Sequence, residues 1–171
     1  MTATTPAASA QFLRESEIRR GNELLFFAYT RVTRAVDARL GANSIGRAHH
    51  RSLYFIGRHP DISVSELLAI LGVTKQSLGR VLTELEARGL IETRIGERDR
   101  RQRLLRLTEA GSALDTELFN AWRHLMAHAY TQAGQAAVTG FWAVLEGLIP
   151  ESERARVRSW QETGVPPGQR G

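Results

Sequence analysis

Two short apolar-periodic segments that meet at a glycine constrain this chain more than any other feature. "SVSELLAILG" (63–72) carries Leu67, Leu68 and Leu71 at helical spacing, and "VTKQSLGRVLTELEARG" (73–89) carries Leu78, Val81, Leu82 and Leu85. Neither segment is long enough to hold a helix in water by itself, so the two must pack on each other and on something else. Gly72 stands at the turn and Thr74 where an N-cap belongs, while Gly89 sits at the C-terminal cap. The first-helix packing position of such a pair is usually small; here it falls on Leu68, with Ala69 beside it.

A polar-apolar alternation follows at once. "LIETRI" (90–95) and "RLLRLT" (103–108) read as two strands, and Gly96 to Gln102 as the tip between them. The stretch "RIGERDRRQRLLRL" (94–107) holds six arginines against Glu97 and Asp99. Apolar residues alternate through both flanks, which argues against a disordered basic tail. Two tightly joined helices and a hairpin with a basic tip describe a winged helix-turn-helix. In that architecture the second helix, about 74–88, enters the DNA major groove with its N-terminal residues toward the base edges: Thr74, Lys75, Gln76 and Ser77, with Arg80 one turn on. The wing, about 96–102, offers Arg98, Arg100 and Arg101 to phosphates or to the minor groove. Arg94, Arg103 and Arg106, on the strands, are expected to be structural or peripheral.

The flanks read as helices. Residues 1–14 are small and polar and are expected to be flexible. Residues 15–43 form one long helix with Ile18, Leu25, Ala28, Val32 and Val36 on a stripe, ended by Gly41-Ala42-Asn43. Ser44 is the expected cap of a second helix, which Pro60 stops after Arg58. Asp61-Ile62-Ser63 is a connector with a strand residue. Thr108 to Gly111 opens a long helix whose stripe is Leu114, Leu118, Trp122, Leu125 and Ala129, and a last core helix carries Val138, Phe141, Trp142, Leu145, Leu148 and Ile149 up to Pro150. Residues 150–171 are a polar segment and tail. The fold class is thus mostly α with a small β-hairpin wing, the DNA-binding lobe spanning 44–108 between helices 15–43 and 109–149.

Composition agrees without adding much. The net charge of +5 suits a polyanion partner. Of 23 basic residues only Lys75 is lysine, a bias that genome composition alone can cause. With no cysteine there is no disulfide, no thiol switch and no cysteine-held metal. No 18-residue apolar stretch and no secretory leader is present, so a cytoplasmic protein is expected.

The run from "SELLAILG" through "LTELEARGLIETR", "ERDRRQRLLRL" and "LTEAG" resembles the DNA-binding core of the MarR family of bacterial transcription regulators. The match is specific over 63–111, and the flanking helices agree in number and order over 15–149. The resemblance implies a homodimer whose terminal helices interlace into a platform above two winged lobes. It implies that Thr74, Gln76, Ser77 and Arg80 contact DNA, that Arg101 of Asp99-Arg100-Arg101 enters the minor groove, and that Asp99 braces a neighbouring arginine. It also implies a small-molecule effector between platform and lobe, for which His49, Arg51, Tyr54 and Trp122 are the candidate residues.

His124 and His128, four apart, share a helix face as metal ligands can, but no third ligand follows from the spacing; the nearest acids are Asp115 and Glu117. No metal and no cofactor is expected. The aromatic residues of the terminal helices read as core and dimer packing. Neither a Gly-rich phosphate loop nor a nucleophile–base spacing suggests an enzyme. The expected function is a dimeric, sequence-specific DNA-binding regulator, a repressor, acting on a pseudo-palindromic duplex. A winged-helix protein-interaction module and a nonspecific architectural DNA binder stand as alternatives.

Overall fold

The computed structural model describes residues 13–97 and 99–163. The order of elements is α1 (Glu15–Ala42), α2 (Arg47–Arg58), β1 (Ile62–Ser63), α3 (Val64–Leu71), α4 (Lys75–Ala87), β2 (Ile91–Ile95), β3 (Arg103–Leu107), α5 (Glu109–Ala133), α6 (Gln135–Leu148) and α7 (Glu151–Thr163). The sheet runs β1-β3-β2, all antiparallel, with Thr93 opposite Leu105 and Ile62 on its other side. The expected hairpin is therefore the larger part of a three-stranded sheet. None of the described helices is long and apolar enough to cross a membrane.

Local signals explain most boundaries. Ser63 accepts the Glu66 amide while the Glu66 carboxylate takes the Ser63 amide, a complete capping box for α3. Gly72 closes α3 in the left-handed region (φ 61°), and Thr74 caps α4 through the Ser77 amide. Thr108 caps α5 through the Gly111 amide and donates its hydroxyl to Gly89 O at 2.7 Å, tying α5 to the end of α4.

Ser44 does not cap α2. Helix α1 runs through Gly41, and the Asn43 amide bonds Arg39 O. Ser44 then takes a left-handed turn (φ 51°) that drives Ile45 into the core, so the cap position falls on Gly46. The cap itself is the ring of His49, whose Nδ1 accepts the Gly46 amide at 3.1 Å.

One core unites the lobe. Leu53 and Ile56 of α2, Leu67 of α3, Leu78 and Leu85 of α4, Leu105 of β3 and Leu118 of α5 are essentially inaccessible. Val36 and Leu40, at the end of α1, join them. In α3 the fully buried residue is Leu67; Leu68 is half-buried against the same core and Ala69 is exposed. The outer helices behave differently. On α1, Ile18, Leu24, Leu25, Phe26, Phe27 and Tyr29 are exposed. The expected core helix α6 buries Val138 but leaves Phe141, Trp142, Val144 and Leu148 open, and on α5 it is Ala121, not Trp122 or Ala129, that is buried. Amphipathic faces of that size are finished only by another surface.

Candidate nucleic-acid interface

Helix α4 turns its apolar stripe, Leu78, Leu82 and Leu85, into the core, so periodicity places Lys75, Gln76, Ser77 and Arg80 in solvent. Thr74 and Ser77 hold each other: besides the cap, the Thr74 hydroxyl donates to Ser77 Oγ at 2.9 Å. Both side chains remain exposed at the helix end whose amides face outward.

The wing is closed by main-chain bonds. The Gly96 amide donates to Gln102 O and the Gln102 amide to Asp99 O, each at 3.0 Å. A Cβ on Gly96 would stand 2.8 Å from Asp99 O, so the tip needs glycine there. Among the described residues the Asp99 carboxylate braces no guanidinium; Oδ1 accepts the backbone amide of Arg101 at 2.9 Å. A short side chain that bonds its own backbone two residues on is a turn device, and it sets the direction of Arg101 from the main chain. Arg100 and Arg101 are exposed, and Arg98 lies outside the described residues.

The strand arginines are ties. Arg106 forks onto Asp61 at the turn into β1, Arg94 pairs with Glu92 at 2.7 Å, and Arg103 reaches Glu86 of α4 at 3.8 Å. Thr93 donates its hydroxyl to the same Glu86 carboxylate. Glu86, which the sequence did not single out, thus joins the wing to α4. Between α4 and the wing runs a groove of about 660 Å³, bordered by Lys75, Gly79, Thr83 and Glu86 on one side and Thr93, Asp99, Arg101, Gln102 and Arg103 on the other. Both of its acids are engaged as described. Among the described residues neither Lys75 nor the Arg101 guanidinium has an acidic partner, so the groove, with Lys75, Arg101 and Arg103 against Glu86 and Asp99, carries a small positive excess.

A second site lies across the lobe. Arg51 and Tyr54 of α2 meet Trp122 of α5 around a cavity of about 250 Å³ completed by His50, Phe55 and Phe119. Tyr54, Phe119 and Trp122 form a graded stack with centroids 6.3 and 6.2 Å apart. A neighbouring cavity of about 390 Å³, against α1, shares His50, Arg51 and Trp122. His49 is not part of it. With Nδ1 accepting from Gly46, its proton sits on Nε2, which donates to Glu84 Oε2 of α4 at 2.8 Å. The cleft histidine is His50, and burial pushes its ring below the ordinary value of 6.5. His50, Arg51 and Tyr54, with Phe119 and Trp122, share faces at three- and four-residue spacing, the signal that would have found Phe119. At the cleft rim Arg47 grips Asp37 with two bonds (2.8 and 2.6 Å), which holds the Asp37 carboxyl below its usual range. His124 and His128 are exposed on α5, and among the described residues no three His, Asp or Glu are grouped to hold a metal.

A family profile described as the MarR family matches residues 44–102, the helix-turn-helix and wing. The HTH-type transcriptional regulator PetP of Rhodobacter capsulatus is 48% identical over 143 residues, spanning 84% of this chain and 86% of its own. Two solved structures share the fold. A MarR family regulator from Silicibacter pomeroyi has a TM-score of 0.65 at 20% identity, covering 75% of this chain and 86% of that one. A mutant of MarR from E. coli in complex with operator DNA has a TM-score of 0.61 at 23% identity, covering 83% of this chain and 100% of that one.

Proposed function

The chain belongs to the MarR family, and from that premise we propose that it is a dimeric, sequence-specific repressor of transcription whose DNA grip is loosened by a small molecule. One observation carries the DNA reading: Lys75 in the exposed first turn of α4 and Arg101 of the wing, neither with an acidic partner among the described residues, border one groove whose cations outnumber its two acids, Glu86 and Asp99. Gln76 suits adenine and Arg80 guanine or phosphate, while Arg100 and Arg101 suit the backbone and minor groove of the same duplex. The relative's name and the operator-bound structural neighbour support the same reading.

The open apolar faces of α1 and α6 support a second copy as partner. Phe26, Phe27, Phe141 and Trp142 are each at least 40% exposed, an arrangement that a lone soluble chain avoids. A two-fold dimer presents two α4 helices about 34 Å apart, so its duplex carries an inverted repeat. The effector reading rests on the aromatic cleft: Arg51, with no acidic partner among the described residues, stands beside a half-buried ring stack that offers a planar slot.

Selection of bound duplexes from a random pool tests the proposal, followed by anisotropy titration of the winner at several salt concentrations. An enriched inverted repeat, bound by a dimer with steep salt dependence, is the expected result. Equal binding to any duplex returns the architectural alternative, and absence of binding returns the protein-interaction alternative.

A further inference from the structure

We infer that Gly79 is a DNA-contact position: the strand passing between α4 and the wing lies against the bare backbone of the recognition helix at this residue. The inference rests on the DNA reading of this face. Gly79 is the fifth of the 13 residues of α4, well inside the helix, where glycine is less stable than alanine. Nothing in the fold explains the loss. Its backbone is not in the left-handed region, and a Cβ built there would meet no atom within 4 Å outside its own helix. Gly111 is the contrast, since a Cβ there would lie 1.9 Å from Leu90 O.

The open space beside Gly79 is not random solvent. Lys75, Gly79 and Thr83 lie one turn apart along the α4 wall of the groove, and Arg101 and Arg103 border the opposite wall. Thr83 donates its hydroxyl back to Gly79 O at 3.0 Å, which holds that side chain close to the helix. The middle of the wall is therefore low, with Lys75 beside it and Arg101 and Arg103 opposite, while of the two acids Glu86 is shared with Arg103 and Asp99 is turned onto the Arg101 amide. A phosphodiester strand is the polyanion of matching shape, and a glycine allows it to approach the backbone as a side chain would not.

The test measures two quantities on Gly79→Ala and Gly79→Leu in the full-length protein, using the duplex that the parent selects from a random pool. Both residues favour helix over glycine, so both variants are expected to melt above the parent, Ala by about 2–4 °C. Affinity is expected to fall about tenfold for Ala and further for Leu, because the loss follows the size of the group placed in the strand's path. Parental affinity in Gly79→Ala overturns the inference. So does an equal loss in both variants, which would mean that stiffening the helix is what matters, and so does a lowered melting temperature, which would reveal a clash inside the fold. If the parent selects no duplex, it is the DNA reading that fails.

Discussion

His49 Nε2 lies 2.8 Å from Glu84 Oε2, joining α2 to the C-terminal part of α4, while the next residue, His50, lines the aromatic cleft. Neighbouring residues on one helix thus serve different ends, one tying α2 to α4 and the other lining the cleft. The His49 side chain is only 14% exposed and Glu84 is 57% exposed, so the bond is partly screened. Glu84→Ala is expected to lose less than about 1 kcal/mol of stability. His49→Ala is expected to lose about 1–2 kcal/mol, since the Gly46 amide loses its cap as well. Urea unfolding of both single variants and the double variant checks this; strict additivity would show that the two side chains do not act together.

Stability is expected to decline in mild acid. Burial holds His50 below 6.5, and burial with the adjacent Arg58 charge does the same for His59, against an opposing pull from Glu66. Below about pH 6.5 the unfolded chain therefore binds protons that the folded chain does not. This contribution is complete above that pH and is lost as pH falls toward the folded values, at no more than about 1.4 kcal/mol per unit from His50. Urea midpoints from pH 7.5 to 5.5 read the slope, and His50→Leu should flatten it. An unchanged slope in that variant would assign the effect elsewhere.

Gly111→Ala is expected to be severely destabilising, by about 3 kcal/mol, because the added methyl would drive into the Leu90 carbonyl where α5 crosses the start of β2. Thermal melts decide it. A variant as stable as the parent would mean that α5 can move away from β2 without loss.

The wing separates charge from geometry. Arg101→Ala is expected to weaken binding and lower the salt slope by about one. Asp99→Asn keeps an acceptor for the Arg101 amide and should bind DNA at least as well as the parent, whereas Asp99→Ala releases the turn and should bind more weakly. Gln76→Ala should relax base preference with little change in slope. Anisotropy titrations at four salt concentrations distinguish these outcomes, and parental behaviour of Arg101→Ala would remove the wing from the interface.

Much of the lobe was legible because its signals are local. Thr74, Gly72 and Gly89 punctuate α3 and α4 where the apolar repeat says they should, and Thr108 opens α5. Ser44 misled because an N-cap residue type also suits a left-handed turn, and the burial of Ile45 decided between them. The cleft was read one residue out of place. His49 and His50 are equivalent in sequence, and only the position of Glu84 on another helix draws one of them away from the aromatic stack.

By itself the sequence determined the winged helix-turn-helix, its polar recognition turn and its arginine wing, since helix period, strand alternation, caps and turn residues act over a few neighbours. Tertiary structure alone decided what long-range contact controls. It made Asp99 a main-chain brace, Glu86 the tie between wing and α4, and Gly111 the contact that seats α5. It also left the aromatic faces of α1 and α6 exposed among the described residues. A hydrophobic stripe states that a face must be buried, but not against what, because that depends on residues far away in the chain or outside it.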